Sequence, residues 1–234
     1  MTPADADDSP TREAAAGSAA RAAYVRAVAG PREPLLDEVL RRSLLEERMP
    51  TIQIDDNAGR ILQLLTALRK PSQVVELGTL FGYSTIYLAR GLREDARLTT
   101  VEIDPGRAEL ARRNLERAGV SHRVEVVVGD ALEYLSSLES ESVGMIFLDA
   151  DKRSYVRYLR ECARALEPGG LLVADDAFAD GDYGREHGGE TEQAEERRAI
   201  LEYGRAVTRA RGLLSAFVAT DTGLLVSLKL EHDG

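Results

Sequence analysis

Two places in this sequence hold side chains whose types and spacing could do chemistry together. The first is the pair of segments Phe147-Leu148-Asp149-Ala150-Asp151-Lys152 and Val173-Ala174-Asp175-Asp176. Each is a short apolar run that ends abruptly in acid, as a buried strand does where it reaches the surface. If the two runs are neighbouring strands, their ends lie about 5 Å apart. Asp149 then faces Asp175, and Asp176 follows directly. Like charges this close raise one another's pKa unless a cation joins them. Carboxylate oxygens suit Mg²⁺ or another divalent cation, which leaves positions for water or substrate oxygens. Such a site could take both oxygens of a vicinal diol and lower the pKa of the bound hydroxyl. Lys152, three residues past Asp149, is an amine placed to accept that proton. Only Lys70, Lys152 and Lys229 are lysines among 30 basic residues, so Lys152 stands out from an arginine background. Asp151 reads as the cap of the helix entered at Lys152.

The second place is a series of strand ends. The first runs Val74-Val75-Glu76-Leu77-Gly78-Thr79-Leu80-Phe81-Gly82-Tyr83-Ser84. Gly78 and Gly82 let the backbone turn sharply and approach a ligand closely. The glycine spacing is not that of a dinucleotide fingerprint, because no second glycine follows where a pyrophosphate would lie. Glu76, expected at the mouth, suits a cationic ligand better than a diphosphate. The next strand ends at Glu102, where an acid can accept two hydrogen bonds from ribose hydroxyls. The third is followed by Gly129-Asp130-Ala131. Asp130 could meet an adenine edge, and Ala131 leaves room for a flat ring. Together these positions describe a nucleoside pocket without a phosphate cradle.

The elements that must position these groups alternate. Strands are expected at Gln73–Leu77, Leu98–Val101, Val124–Val128, Val143–Leu148 and Leu171–Ala174, with helices at about 84–92, 106–118, 131–138 and 153–166 between them. That alternation implies right-handed crossovers and a parallel sheet. Pro168-Gly169-Gly170 reads as a turn. A charged helix at about Thr191–Arg211 precedes two further strands, Leu213–Ala219 and Leu224–Leu230, with Asp221-Thr222-Gly223 as a tight turn. The expected fold is therefore α/β and doubly wound, a mostly parallel seven-stranded sheet ending in an antiparallel hairpin. Helical patterns at Ala19–Pro50 and Asn57–Arg69 precede it, the second capped by Asp55 or Asp56. Residues 1–16 read as a disordered tail, 17–70 as a helical cap and 71–234 as the Rossmann-like core of one domain.

With these motifs assembled, the sequence resembles the class I S-adenosylmethionine-dependent methyltransferases. More narrowly, it is similar to the cation-dependent O-methyltransferases that include the catechol and caffeoyl-coenzyme A enzymes. The resemblance covers about Met49 to Leu230. It is carried by the segment from Met49-Pro50 to Gly59, by VVELGTLFGYST (74–85), TTVEIDP (99–105), GDAL (129–132), IFLDADK (146–152) and LEPGGLLVADD (166–176). It implies a Rossmann-like fold, S-adenosylmethionine and a divalent cation such as Mg²⁺ as cofactors, and a homodimer. It further implies that Ile54 lines the cofactor, that Gly78 and Ser84 lie near its methionine portion, that Glu102 holds the ribose and that Ala131 lies beside the adenine. Asp149 would border the sulfonium, Asp149, Asp175 and Asp176 would hold the metal, and Lys152 would be the general base. Two positions depart from the family pattern. Asp176 stands where asparagine is usual, adding a negative charge. Gly204 aligns where many bacterial relatives have asparagine, which implies a different pocket wall.

Composition narrows the partners. The 234 residues suit one domain with a full core. The net charge of −10 argues against a surface built for nucleic-acid phosphates, and the acceptor is expected to be a small molecule with vicinal oxygens. Two other readings are weighed against this one: a methyltransferase acting on a modified uridine of transfer RNA, and a cofactor-binding interaction protein without turnover. No signal peptide or bilayer-length apolar run is present, so a cytoplasmic protein is expected. The single cysteine, Cys162, reads as a small buried apolar residue. His122, His187 and His232 lack zinc-ligand spacing. The Gly-rich segment with Tyr183 and His187 is expected to help select the substrate.

Overall fold

The computed structural model describes residues 20, 23–178 and 191–231. The expected N-terminal tail (1–16), Tyr183, His187 and His232 lie outside the described residues. Seven strands form one sheet: β1 (Gln73–Leu77), β2 (Arg97–Glu102), β3 (Val124–Val128), β4 (Val143–Leu148), β5 (Leu166–Ala174), β6 (Leu213–Val218) and β7 (Leu224–Lys229). Their order is β3-β2-β1-β4-β5-β7-β6. The first five strands are parallel, and β7 lies antiparallel between β5 and β6. The order reverses between β1 and β4, and open parallel sheets form their ligand crevice at that point.

Helices cover both faces. They are α1 (23–29), α2 (Pro34–Arg41), α3 (Asp56–Arg69), α4 (Tyr83–Gly91), α5 (Pro105–Arg117), α6 (Ala131–Ser137), α7 (Tyr155–Ala165) and α8 (Glu192–Arg209). The period-2 geometry of a strand divides the core in two. Met145 and Phe147 of β4 pack among residues of α2, α3 and α4, whereas Ile146 and Leu148 face Tyr155, Tyr158 and Cys162 of α7. All these side chains are buried, as expected for central parallel strands covered on both sides.

Three connections carry the site. Asp104 and Asp130 cap α5 and α6 by accepting backbone N–H bonds, so each crossover helix starts directly after its strand end. A 3₁₀ turn, Lys152–Ser154, then leads into α7, and Asp151 caps it as the sequence implies. Before the sheet begins, Asp55 caps α3 by accepting from Asn57 N and Ala58 N.

Several expectations are corrected. Pro168-Gly169-Gly170 is not a turn outside the sheet. It lies within a longer β5, where a register shift against β4 and the positive φ of Gly169 absorb the irregularity. The N-terminal helical pattern is broken: Pro34 starts α2 after an interruption, and a π-helical turn (Arg42–Glu46) follows. Leu45, Leu64 and Leu68, which recur at helical spacing with their apolar neighbours, are exposed. The β6–β7 connection spans residues 219–223, wider than a two-residue hairpin turn. Among the described residues no helix is long and apolar enough to cross a membrane.

The Asp55 cap is also the point where α3 meets the β6–β7 connection, because its other oxygen accepts from Asp221 N at 3.0 Å. Asp55→Ala is expected to lower unfolding free energy by about 1–2 kcal/mol in urea titrations. An unchanged midpoint would show that the cap is replaced by water at no cost.

Candidate functional site

The site begins with hydrogen bonds that continue the sheet one residue past its strand ends. Gly78 N donates to Val101 O, Asp149 N to Leu77 O, and Asp175 N to Leu148 O. The ends of β2, β1, β4 and β5 are thereby held in step, and Asp149 and Asp175 emerge side by side. Gly78 is required here. Its φ is +92°, and a Cβ would stand 2.0 Å from the carbonyl oxygen of Asp149.

A cavity of about 820 Å³ opens over these ends. Ile54, Gly78, Ser84, Glu102, Asp130, Ala131 and Asp149 all line it, as the sequence led us to expect. Glu102 does more than border the cavity. Its carboxylate accepts from Leu80 N at 2.8 Å, Thr79 N at 3.3 Å and Asp104 N at 3.1 Å. It therefore fixes the loop after β1, including the left-handed Leu80. Asp130 uses Oδ1 to cap α6, accepting from Leu132 N and Glu133 N. Glu76 requires a correction. It is fully buried within β1 and does not line the cavity, because Gly78, Thr79 and Ser84 form the surface there. One of its oxygens accepts from Thr85 Oγ1 at 2.5 Å, and the other has no partner. Burial raises its pKa to about 7, with the hydroxyls of Ser84, Thr100 and Thr85 opposing the rise.

At one end of this cavity the acidic cluster assembles. Asp149, Asp175 and Asp176 each offer a carboxylate oxygen, and these oxygens all lie within 4.8 Å of one another. Asp175 is almost fully buried and accepts from Thr222 Oγ1 at 2.8 Å. Asp176 has φ +58°, a left-handed conformation that Asn and Asp adopt more readily than other residues with a Cβ. Burial raises the carboxyl pKa of Asp149, and Asp176 adds to the rise while Lys152 opposes it. Asp175 is raised well above the usual carboxylate range by burial and by its two acidic neighbours.

Lys152 lies among these groups. Its Nζ stands 2.5 Å from Asp149 Oδ1 and 2.7 Å from Asp176 Oδ2, and it donates to Tyr155 Oη at 3.0 Å. Burial favours the neutral amine, yet the fields of Asp149, Tyr155 and Asp176 outweigh it and raise the pKa well above the ordinary lysine value. The arrangement holds Lys152 as an ammonium ion between Asp149 and Asp176.

Spacing did not single out Tyr155 or Thr222. Tyr155 donates to Leu148 O, accepts from Lys152 and packs edge-on against Tyr203 with ring centroids 5.2 Å apart. Its i+3 relation to Lys152 was the available signal. Thr222 read only as a turn residue. Gly204 does not line this cavity; a Cβ there would face Phe217 at 3.9 Å, so the expected change of pocket wall is corrected to a change of helix packing.

Comparison with known proteins follows the same geometry. The sequence profile of an O-methyltransferase family matches residues 27–230. The catechol O-methyltransferase of Niastella koreensis is 44% identical over 142 residues, which is 59% of this chain and 64% of that protein. The catechol O-methyltransferase of Mycobacterium tuberculosis is 41% identical over 149 residues, 64% of this chain and 67% of that protein. The match thus spans a little under two thirds of the first relative's length. An O-methyltransferase from Bacillus cereus, solved in complex with SAH, superposes with a TM-score of 0.80 at 28% identity, covering 90% of this chain and 97% of that one.

The buried Glu76 has a consequence for stability. Its folded pKa of about 7 exceeds the ordinary 4.5, so the unfolded chain gives up the proton first as pH rises. The contribution of Glu76 to stability is therefore fully present below about pH 4.5 and declines up to about pH 7, by up to about 3 kcal/mol. Urea unfolding at pH 5 and pH 7.5 is expected to show a smaller loss in Glu76→Gln than in the wild type. Equal losses would contradict a buried, protonatable Glu76.

Proposed function

This chain belongs to the O-methyltransferase family, and from that premise we propose that it transfers a methyl group from S-adenosylmethionine to a hydroxyl of a small molecule with vicinal oxygens, assisted by a divalent cation. The observation that carries this reading is the cluster of Asp149, Asp175, Asp176 and Lys152 at one end of a cofactor-sized cavity. The two catechol O-methyltransferase relatives support the acceptor class, and the SAH in the Bacillus cereus structure supports the donor.

The residues fit both groups. Glu102 would accept from the ribose hydroxyls while its backbone partners hold it in place. Ala131 would lie beside the adenine, Ile54 would line the cofactor, and Gly78 and Ser84 would border the methionine portion. For the cation, the test is the donor set. Three carboxylates with oxygens within 4.8 Å of one another match a hard divalent ion such as Mg²⁺. The position is already attractive enough to draw an ammonium between Asp149 and Asp176. When bound, the divalent cation would supply the charge that offsets the carboxylates and lowers the pKa of an acceptor hydroxyl.

The chain's own contribution is then alignment and proton removal. The ladder past the strand ends fixes Asp149 and Asp175, so an acceptor held there meets the cofactor in one orientation, and orientation is a large part of a displacement reaction. Lys152 would take the hydroxyl proton, with Tyr155 holding its amine in reach. Thr222 would keep Asp175 turned toward the cluster. Leu64 and Leu68, exposed one turn apart on α3, offer an apolar face that the expected homodimer would cover.

The test is transfer of a labelled methyl group to catechol. Transfer is expected with Mg²⁺, is expected to stop with a chelator, and is expected to fall about a hundredfold or more in Lys152→Met. Transfer that chelation leaves unchanged would overturn the cation's role, and transfer unaffected in Lys152→Met would overturn the proton assignment.

A further inference from the structure

A second cavity, of about 710 Å³, adjoins the first. The two share Gln53, Ile54 and Thr222 as lining residues. Thr222 is one hydrogen bond from Asp175, so the junction lies beside the acidic cluster. Gln53 brings to the same junction a buried side-chain oxygen with no partner. Its walls include Tyr24, Val25 and Ala29 of α1 and residues 219–222 of the β6–β7 connection. The size is informative. A cavity of about 150 Å³ already holds benzene, so this chamber is several times larger than a single diol ring needs.

Its charges are informative as well. Arg32 is committed to Asp56 through Nε and to Asp37 through Nη1. Asp55 is committed to the start of α3 and to Asp221 N. Asp221 has Arg26 at 3.7 Å. Arg60 differs from these. Asp56, its neighbour one helix turn back, is already held by Arg32, and Arg60 forms no ion pair among the described residues; it reaches the carbonyl of Ala29 at 3.5 Å and lies near enough to the Tyr87 phenol to act on it. An exposed guanidinium on the wall of a largely apolar chamber is a ready partner for a carboxylate.

We propose that this chamber takes the body of the acceptor and that Arg60 binds an anionic group remote from the reacting oxygens, which makes the acceptor class aromatic vicinal diols that carry a carboxylate. The proposal rests on the reading of the adjoining site as a methyltransferase centre. It assigns a specificity role to a residue on α3, away from the strand ends that hold the chemistry.

The test compares 3-(3,4-dihydroxyphenyl)propionate with plain catechol. Both are titrated by calorimetry into full-length protein saturated with S-adenosylhomocysteine and Mg²⁺, and both are assayed for methylation. The wild type is expected to bind the acid about tenfold more tightly than catechol. Arg60→Gln is expected to erase that advantage and Arg60→Lys to keep most of it, and thermal melting checks that both variants fold. Equal affinity for the two diols in the wild type, or an acid advantage that survives in Arg60→Gln, would overturn the chamber's role. The methylation assay separates the two readings. If both diols are methylated without any dependence on Arg60, the chamber proposal fails and the methyltransferase reading stands. If the Arg60-dependent affinity is found with no methylation of either diol, the chamber stands and the adjoining site's reading fails.

Discussion

Three carboxyl groups whose oxygens lie within 4.8 Å of one another cannot all remain charged in a half-buried site unless positive charge lies among them. At an effective dielectric of about 20, two like charges about 4 Å apart repel by about 4 kcal/mol. A domain is stable by only about 5–15 kcal/mol in total, so one such uncompensated pair is a large fraction of that margin. The chain answers with Lys152, whose ammonium lies within ion-pair distance of Asp149 and Asp176. On the proposed reading, the same need for positive charge would suit a divalent cation held by the three carboxylates, with Lys152 as the group that takes the proton.

The fold creates this concentration of charge through its backbone. Asp149 and Asp175 belong to neighbouring parallel strands, and the N–H of each continues the ladder to the strand before it. Moving either acid away would break the sheet's edge above the crevice. Gly78 lets β1 approach within a distance that no side chain at that position would permit. Glu102 performs the matching task on the next strand, where its carboxylate gathers the N–H groups of the loop after β1. Its geometry is therefore fixed before any ligand is bound, and preorganisation of this kind reduces the ordering cost of binding.

Much of this was legible in the sequence, for a physical reason. Buried parallel strands are short, apolar and sharply bounded, so the acids and glycines at their ends announce themselves, and Asp149, Asp175, Gly78 and Glu102 all stand where the pattern placed them. What the pattern could not show depended on the third dimension. Glu76 lies two residues before Gly78, inside β1 and fully buried below the cavity surface, where burial governs its pKa. The ion pair of Lys152 depends on the backbone twist at Asp176, which spacing does not encode. Tyr155 and Thr222 touch the cluster from a helix and a turn far apart in sequence. Arg60 became notable only when Arg32, from another segment, was seen to hold Asp56. Leu64 and Leu68 fit a helical apolar stripe, yet this chain leaves them uncovered.

The central claim is that Asp149, Asp175 and Asp176 form one cation site that works beside bound cofactor. Calorimetric titration of Mg²⁺ into the protein saturated with S-adenosylhomocysteine tests it without knowledge of the natural acceptor. Saturable binding to the wild type is expected, and it is expected to be lost in Asp149→Ala while S-adenosylhomocysteine remains bound. No saturable Mg²⁺ binding to the wild type, with or without catechol present to complete the site, would contradict it.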